Sequence, residues 1–216
     1  GAEVQIFDVD GSLAASGQKG RFEISGAHLW SAETPYLYTC KVSRGGEELT
    51  EKFGIRTLEW SGKTGLLVNG KETLLRGGCI HHDNGVLGAC SFADAEERRV
   101  RILKSQGFNA LRMAHNPASR SLLDACDRIG MYVMDEAFDG WYIPKEYHDY
   151  SRDFLSDYKS VLAAMVENDY NHPSVIMYSL GNEVTETAAK RGIELCAEMR
   201  DTVHSLDGTR PVTCGI

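Results

Sequence analysis

A change of rhythm near residue 60 restricts the folds open to this chain more than any other feature of it. Before that point, β-branched and aromatic residues gather in short runs at 4–9, 21–24, 36–42 and 48–58. Asp10-Gly11, Ser25-Gly26 and Gly45-Gly46 punctuate them. Runs of this kind between turn residues predict short strands, and residues 42–50 read as a hairpin. From about residue 66, strand runs at 73–76, 110–113, 132–134, 175–179 and 211–214 alternate with helical patterns. The first helix is expected over 94–105, opened by an Asp94/Glu97 capping box and stopped at Gly107. The second spans 120–129, with Leu122, Leu123, Cys126 and Ile129 on one face and Gly130 at its end. Phe154, Tyr158, Val161, Leu162 and Met165 define a third that ends before Pro173. Ala189, Ile193, Cys196, Met199 and Val203 define a fourth.

Strand–helix alternation implies a parallel sheet with right-handed crossovers. Five strands and four helices suit either a doubly wound sheet or rather more than half of a (β/α)₈ barrel, which takes about 250 residues. No Gly-x-Gly-x-x-Gly follows any of the strands, which weighs against a dinucleotide-binding fold. The four opening strands fall short of the roughly seven of a self-sufficient sandwich. Either the β domain is small, or its first strands precede residue 1.

The net charge of −8 excludes a protein that tracks nucleic-acid phosphates, and no basic run suits a membrane surface. Cys40, Cys79, Cys90, Cys126, Cys196 and Cys214 include no Cys-x-x-Cys pair. A zinc ribbon or disulfide framework is therefore not expected. With no secretory leader at the start, a reducing, cytoplasmic (bacterial) compartment is the expectation.

The strand ends are polar although the strand bodies are apolar. They read Arg76-Gly77-Gly78-Cys79-Ile80-His81-His82-Asp83, Arg112-Met113-Ala114-His115-Asn116-Pro117, Asp135-Glu136-Ala137-Phe138-Asp139-Gly140-Trp141 and Gly181-Asn182-Glu183. Barrel enzymes place their chemistry at the C-terminal ends of the strands. Polar groups for hydroxyls and an aromatic wall such as Trp141 for a ring face suit a sugar. Blander readings stand beside this one. Asp135 and Glu136 could be a salt-bridged strand end, and Arg76 and Arg112 could neutralise them. His81 and His82 are adjacent, so an extended chain points them in opposite directions, which disfavours a shared metal ion.

These motifs resemble the glycoside hydrolase family 2 enzymes, the β-galactosidase, β-glucuronidase and β-mannosidase group. Leu29-Trp30-Ser31-Ala32-Glu33-Thr34-Pro35-Tyr36-Leu37-Tyr38 and Phe53-Gly54-Ile55-Arg56-Thr57-Leu58-Glu59 look like the last strands of that family's immunoglobulin-like sandwich. Val68-Asn69-Gly70-Lys71, Leu75-Arg76-Gly77-Gly78, Phe108-Asn109-Ala110-Leu111-Arg112 and Asn171-His172-Pro173-Ser174 continue it through a barrel to Glu183. The resemblance implies a retaining mechanism with Glu183 as general acid and then general base. It implies that Asn182 hydrogen-bonds the sugar 2-hydroxyl and that Arg76, His81, His115 and Asn116 line the sugar subsite. Asp135 would orient its neighbours rather than react. Tyr178-Ser179-Leu180-Gly181-Asn182-Glu183 is closer to the β-galactosidase branch. Some β-galactosidases hold magnesium with a Glu and a His after the third strand. Here that stretch is Phe138-Asp139-Gly140-Trp141, so no cofactor is expected. The family's nucleophilic Glu is on the seventh barrel strand, whereas Ile216 falls near the fifth.

The expected fold is thus α/β: residues 1–60 the end of an immunoglobulin-like sandwich, residues 61–216 the first five strands of a TIM barrel. The expected partner is a carbohydrate substrate, with neither nucleic acid nor membrane, and the open barrel is expected to self-associate. Two rivals are a non-catalytic carbohydrate-binding or interaction module and a metal-dependent barrel hydrolase using His81, His82, Asp83 and His115.

Overall fold

The structure, a computed structural model describing residues 1–18 and 20–216, opens with an antiparallel sheet. Its strands are β1 (Glu3–Phe7), β2 (Leu13–Gly17), β3 (Tyr38–Arg44) and β4 (Glu47–Phe53), in the order β2-β1-β3-β4. β3 and β4 meet through Gly45 and Gly46, both at positive φ (61° and 90°). Only that backbone lets a two-residue turn follow the twist of the strands, hence the glycine pair. Two sequence expectations fail in this region. Residues 21–24 form no strand, and the run 48–58 breaks at Gly54. A Cβ on Gly54 would lie 2.7 Å from Pro173 and 2.9 Å from Trp30, so the chain passes too close to the barrel to stay in the sheet.

A small sheet unforeseen from the sequence follows: β5 (Leu58–Ser61), β6 (Gly65–Val68) and β7 (Lys71–Glu72). Val68, Trp30 and Ala32 pack with Ala110, Tyr132 and Ile176 to plug the N-terminal end of the parallel sheet. The contact is pinned by polar groups. Trp30 Nε1 donates to the Asp127 carbonyl, and Arg56 donates to the carbonyls of Pro173 and Val175. His172 Nδ1 lies 2.6 Å from Asp127 Oδ2, both side chains buried.

The parallel sheet comprises β8 (Gly77–His81), β9 (Ala110–Ala114), β10 (Tyr132–Glu136), β11 (Val175–Ser179) and β12 (Val212–Thr213). Their spatial order is their chain order, with no reversal. A doubly wound sheet must reverse its order; this is a sector of a (β/α)₈ barrel, open at β8 and β12. Helices α1 (Ala93–Ser105), α2 (Arg120–Ile129), α3 (Ser151–Asp169) and α4 (Lys190–Leu206) form the outer layer. Leu111, Met113, Val133, Val175 and Tyr178 face them in one continuous core.

The first barrel strand begins at Gly77, not at residue 73. The role of the Gly77-Gly78 pair is close approach: a Cβ on Gly77 would meet the Ala110 carbonyl at 2.4 Å. At α1, Phe92 is the cap residue and no side chain caps the helix, so the Asp94/Glu97 box does not form. At α2 the local signals and the structure coincide. Ser119 Oγ accepts from Leu122 N–H, and Gly130 closes the helix at φ 83°. Among the described residues, no helix is long and apolar enough to cross a membrane.

Candidate active site

Successive strand residues point to opposite faces of a sheet, and this decides which polar residues meet. On β9, Arg112 points inward while Leu111 and Met113 join the outer core. On β10 the inward residue is Glu136, not Asp135. Glu136 has no exposed surface, and donors converge on its carboxylate. Arg112 Nε and Nη2 approach Oε2 at 3.2 and 2.8 Å, and Ser179 Oγ donates to it at 2.6 Å. His115 Nδ1 lies 2.6 Å from Oε1. The same Arg112 Nη2 donates to Asn182 Oδ1 at 2.9 Å, which passes the orientation set at Glu136 on to the end of β11.

Asn182 is held from both ends of its amide, since Nδ2 donates to Asp139 Oδ1 at 3.1 Å. An amide has two N–H donors and two lone pairs. One of each therefore remains for a ligand. Burial opposes ionisation of Asp139, but hydrogen bonds from Lys145 and Asn182 outweigh it and hold its carboxyl below the usual range.

Glu183 follows in the left-handed region at φ 47°, one of two described non-glycine residues with positive φ. That backbone costs an L-residue roughly 1–2 kcal/mol and survives because its surroundings fix it. Asn182 N–H bonds the Phe138 carbonyl, Val184 N–H the Gly215 carbonyl, and Gly215 N–H the Gly181 carbonyl. The Glu183 side chain is 82% exposed. Among the described residues its nearest cation is Lys145, whose Nζ lies 4.0 Å from Oε2.

Several residues expected at the sugar subsite lie elsewhere. Arg76 precedes β8, at the N-terminal end of the sheet, where its backbone bonds Asn109. The four-residue shift of the first strand carried it away from the rim. Trp141 is 1% exposed, and its Nε1 donates to the Leu180 carbonyl. It is a floor under the Glu183 loop, not a wall facing a sugar ring. A Cβ on Gly181 would touch its Nε1 at 2.9 Å, so the loop rests directly on the indole. Asp135 is fully buried on the outer face, accepting from the Ala118 and Glu136 N–H groups. Burial and the neighbouring Asp169 push its carboxyl well above the usual range. It cannot touch a substrate.

His81 and His115 do come together, their rings perpendicular with centroids 5.3 Å apart. Asn116 is exposed beside His115, on the edge of a separate cavity of about 200 Å³ lined by Phe138, Tyr150, Phe154 and Tyr158. Reasoning from sequence did not place Glu136, Ser179, Asp139 or Lys145 in the site. Counting β10 inward from Met134 would have found Glu136; nothing in the sequence marks Lys145.

The metal-hydrolase alternative loses its ligand set. His82 turns outward, and its Nε2–H donates to the Pro117 carbonyl at 3.1 Å. Among the described residues, the one group with ligand atoms close enough to share an ion is Asp124, Asp127 and His172, at the opposite end of the sheet. The magnesium site of some β-galactosidases does not fit this rim either. Of Phe138, Asp139, Gly140 and Trp141, only Asp139 offers a carboxylate, and the Lys145 ammonium already occupies it at 3.0 Å.

A parallel barrel sector whose C-terminal rim gathers Arg, His, Asn and two Glu has the organisation of a (β/α)₈-barrel enzyme. Comparison with known proteins makes it specific. The family model "Glycosyl hydrolases family 2, TIM barrel domain" matches residues 62–215, and "Glycosyl hydrolases family 2" matches residues 2–56. The chain belongs to this family. It is similar to the beta-galactosidase BoGH2A of Bacteroides ovatus, 41% identical over 87% of this chain and 26% of that protein. It is also similar to the beta-glucuronidase of Rattus norvegicus, 32% identical over 98% of this chain and 34% of that protein. Among solved structures, a family 2 member from Bacteroides cellulosilyticus superposes with a TM-score of 0.93 at 41% identity. That match covers 100% of this chain and 30% of the other. The chain thus spans roughly a quarter to a third of these relatives.

Proposed function

We propose that residues 1–216 carry the proton-donating half of a retaining glycosidase acting on terminal β-galactosides. The observation that carries the reading is Glu183, held at φ 47° in the loop after β11 with its carboxyl 82% exposed and accepting no hydrogen bond among the described residues. Every other carboxylate gathered there is committed: Glu136 to Arg112, His115 and Ser179, and Asp139 to Lys145 and Asn182.

In the first step, the Glu183 carboxylic acid gives its proton to the glycosidic oxygen as the bond from the anomeric carbon to that oxygen breaks. A second carboxylate bonds the anomeric carbon from the opposite face. In the second step, the Glu183 carboxylate takes a proton from water, whose oxygen displaces the enzyme carboxylate and leaves the sugar with its original configuration. The second carboxylate must lie about 5–5.5 Å from the first. We place it on strands that would join the open edges of β8 and β12. Asn182 offers its remaining N–H and lone pair to a sugar hydroxyl. The galactoside preference is supported by the higher identity to BoGH2A (41%) than to the rat beta-glucuronidase (32%).

The test is a leaving-group series of aryl β-galactosides on full-length protein, with aryl β-glucuronides as the alternative substrates. Glu183→Gln is expected to lose most on poor leaving groups, which need the proton, and least on activated ones. An equal loss across the series removes Glu183 from the acid role. Faster turnover of the glucuronides transfers the specificity to the other branch.

A further inference from the structure

The connection from β10 to α3 places one cation against the loop that carries Glu183, and the mechanism above does not use it. Lys145 Nζ donates to the Asp139 carbonyl at 2.7 Å, to Asp139 Oδ1 at 3.0 Å and to the Asn182 carbonyl at 2.7 Å. An ammonium has three donors, so all are spent on this loop and on the carboxylate that orients Asn182. The remaining near contact is Glu183 Oε2 at 4.0 Å.

The cation is also pre-set. Asp149 accepts from the backbone N–H groups of Lys145, Glu146 and Ser151, which fixes the start of the lysine side chain. Gly140 leaves room for the stem, since a Cβ there would meet Lys145 Cε at 3.2 Å. A lysine at a solvated rim ordinarily holds its long chain loosely, at a cost in rotamer entropy whenever it is ordered. Here a loop is folded around it.

We propose that Lys145 is the positioning residue of the acid/base, a built-in cation that fixes the Asn182-Glu183 backbone and faces the Glu183 carboxylate. This rests on the assignment of Glu183 made above. The role has two parts. Bonding the Asn182 carbonyl holds the peptide that leads into the left-handed Glu183, and so sets where the carboxyl points. The positive charge lies beside the carboxylate that forms once the proton has left, so its attraction grows as the glycosidic bond breaks. An interaction stronger in the transition state than in the ground state raises kcat rather than lowering KM.

The experiment uses full-length protein carrying Lys145→Met, Lys145→Arg or Glu183→Gln. Each is assayed on poor and on activated aryl β-galactosides, with and without added ethylammonium. Misplacing a reacting group by about 1 Å costs on the order of 100-fold. Lys145→Met is therefore expected to lose about 100-fold in kcat on the poor leaving group, with a much smaller change in KM and a smaller loss on the activated one. Ethylammonium is expected to restore part of that loss. Lys145→Arg keeps the charge but not the three-point seat, and should fall between wild type and Lys145→Met. A loss in Lys145→Met that is equal across leaving groups and unmoved by ethylammonium overturns the proposal, provided Glu183→Gln still discriminates between them. Lys145→Arg as slow as Lys145→Met does the same. If Glu183→Gln itself fails to discriminate, the assignment of Glu183 has failed and not merely that of Lys145.

Discussion

Glu136 and Arg112 show what a single residue contributes to this rim. The Glu136 carboxylate is wholly buried, and Arg112, the only guanidinium bonded to it among the described residues, is 26% exposed. Replacing one partner of such a pair leaves the other charge without compensation and costs about 3–5 kcal/mol. Arg112→Met should therefore lower stability by roughly that amount, read as a shift in the urea midpoint. Adding Glu136→Gln should recover much of the loss, because the stranded charge is gone. A single variant as stable as wild type would mean that His115 and Ser179 hold the carboxylate unaided. Sequence reading weighed these residues only in part. Arg112 was visible as a polar strand end, but Asp135 was assigned the place that Glu136 occupies. Adjacent carboxylates on a strand face opposite ways, and choosing between them requires the inward register of β10. The partner strands set that register, through a bulge against β11 between Val133 and Met134.

At the scale of elements, what was legible followed local signals. α2 and β11 lie where the apolar runs place them, with Gly130 ending the helix as expected. β8 was displaced because its glycines serve contact with β9, and the small sheet of β5 to β7 was missed because its role is to plug the barrel floor. That floor is tied to the sandwich strands through α2 and the segment before β11, where His172 meets Asp127. Burial opposes protonation of His172, but the Asp127 carboxylate outweighs it and raises the imidazole above its usual value of 6.5. A histidine whose folded value is raised binds its proton more tightly in the native state. Its stabilisation is complete below about pH 6.5 and is lost as pH rises through the higher folded value. The urea midpoint should therefore decline above about pH 6.5 in wild type, and less steeply in His172→Gln. Parallel profiles for the two proteins would contradict this coupling.

For the molecule as a whole, the two ends of the barrel sector do different work. The N-terminal end is closed by Trp30, Val68 and Tyr132 and carries the junction with the sandwich strands. The C-terminal end is open and polar, and the backbone bonds of Gly181, Asn182 and Gly215 support Glu183 there. Division of labour between a stabilising end and a reactive end is characteristic of (β/α)₈ barrels. The order of strands shows why the fold was readable from sequence: each βα unit packs beside the last, so local alternation predicts the global arrangement. The composition of the rim was less readable, because it depends on which way each strand end faces.

The central claim is that Glu183 serves first as acid and then as base. It is tested most directly by product analysis on full-length protein carrying Glu183→Gln, supplied with an activated aryl β-galactoside and azide. An activated leaving group departs without a proton, and azide attacks the glycosyl-enzyme without needing a base. The account predicts accelerated turnover and accumulation of the β-galactosyl azide, its configuration retained. The absence of any azide adduct, or an adduct of α configuration, would contradict it.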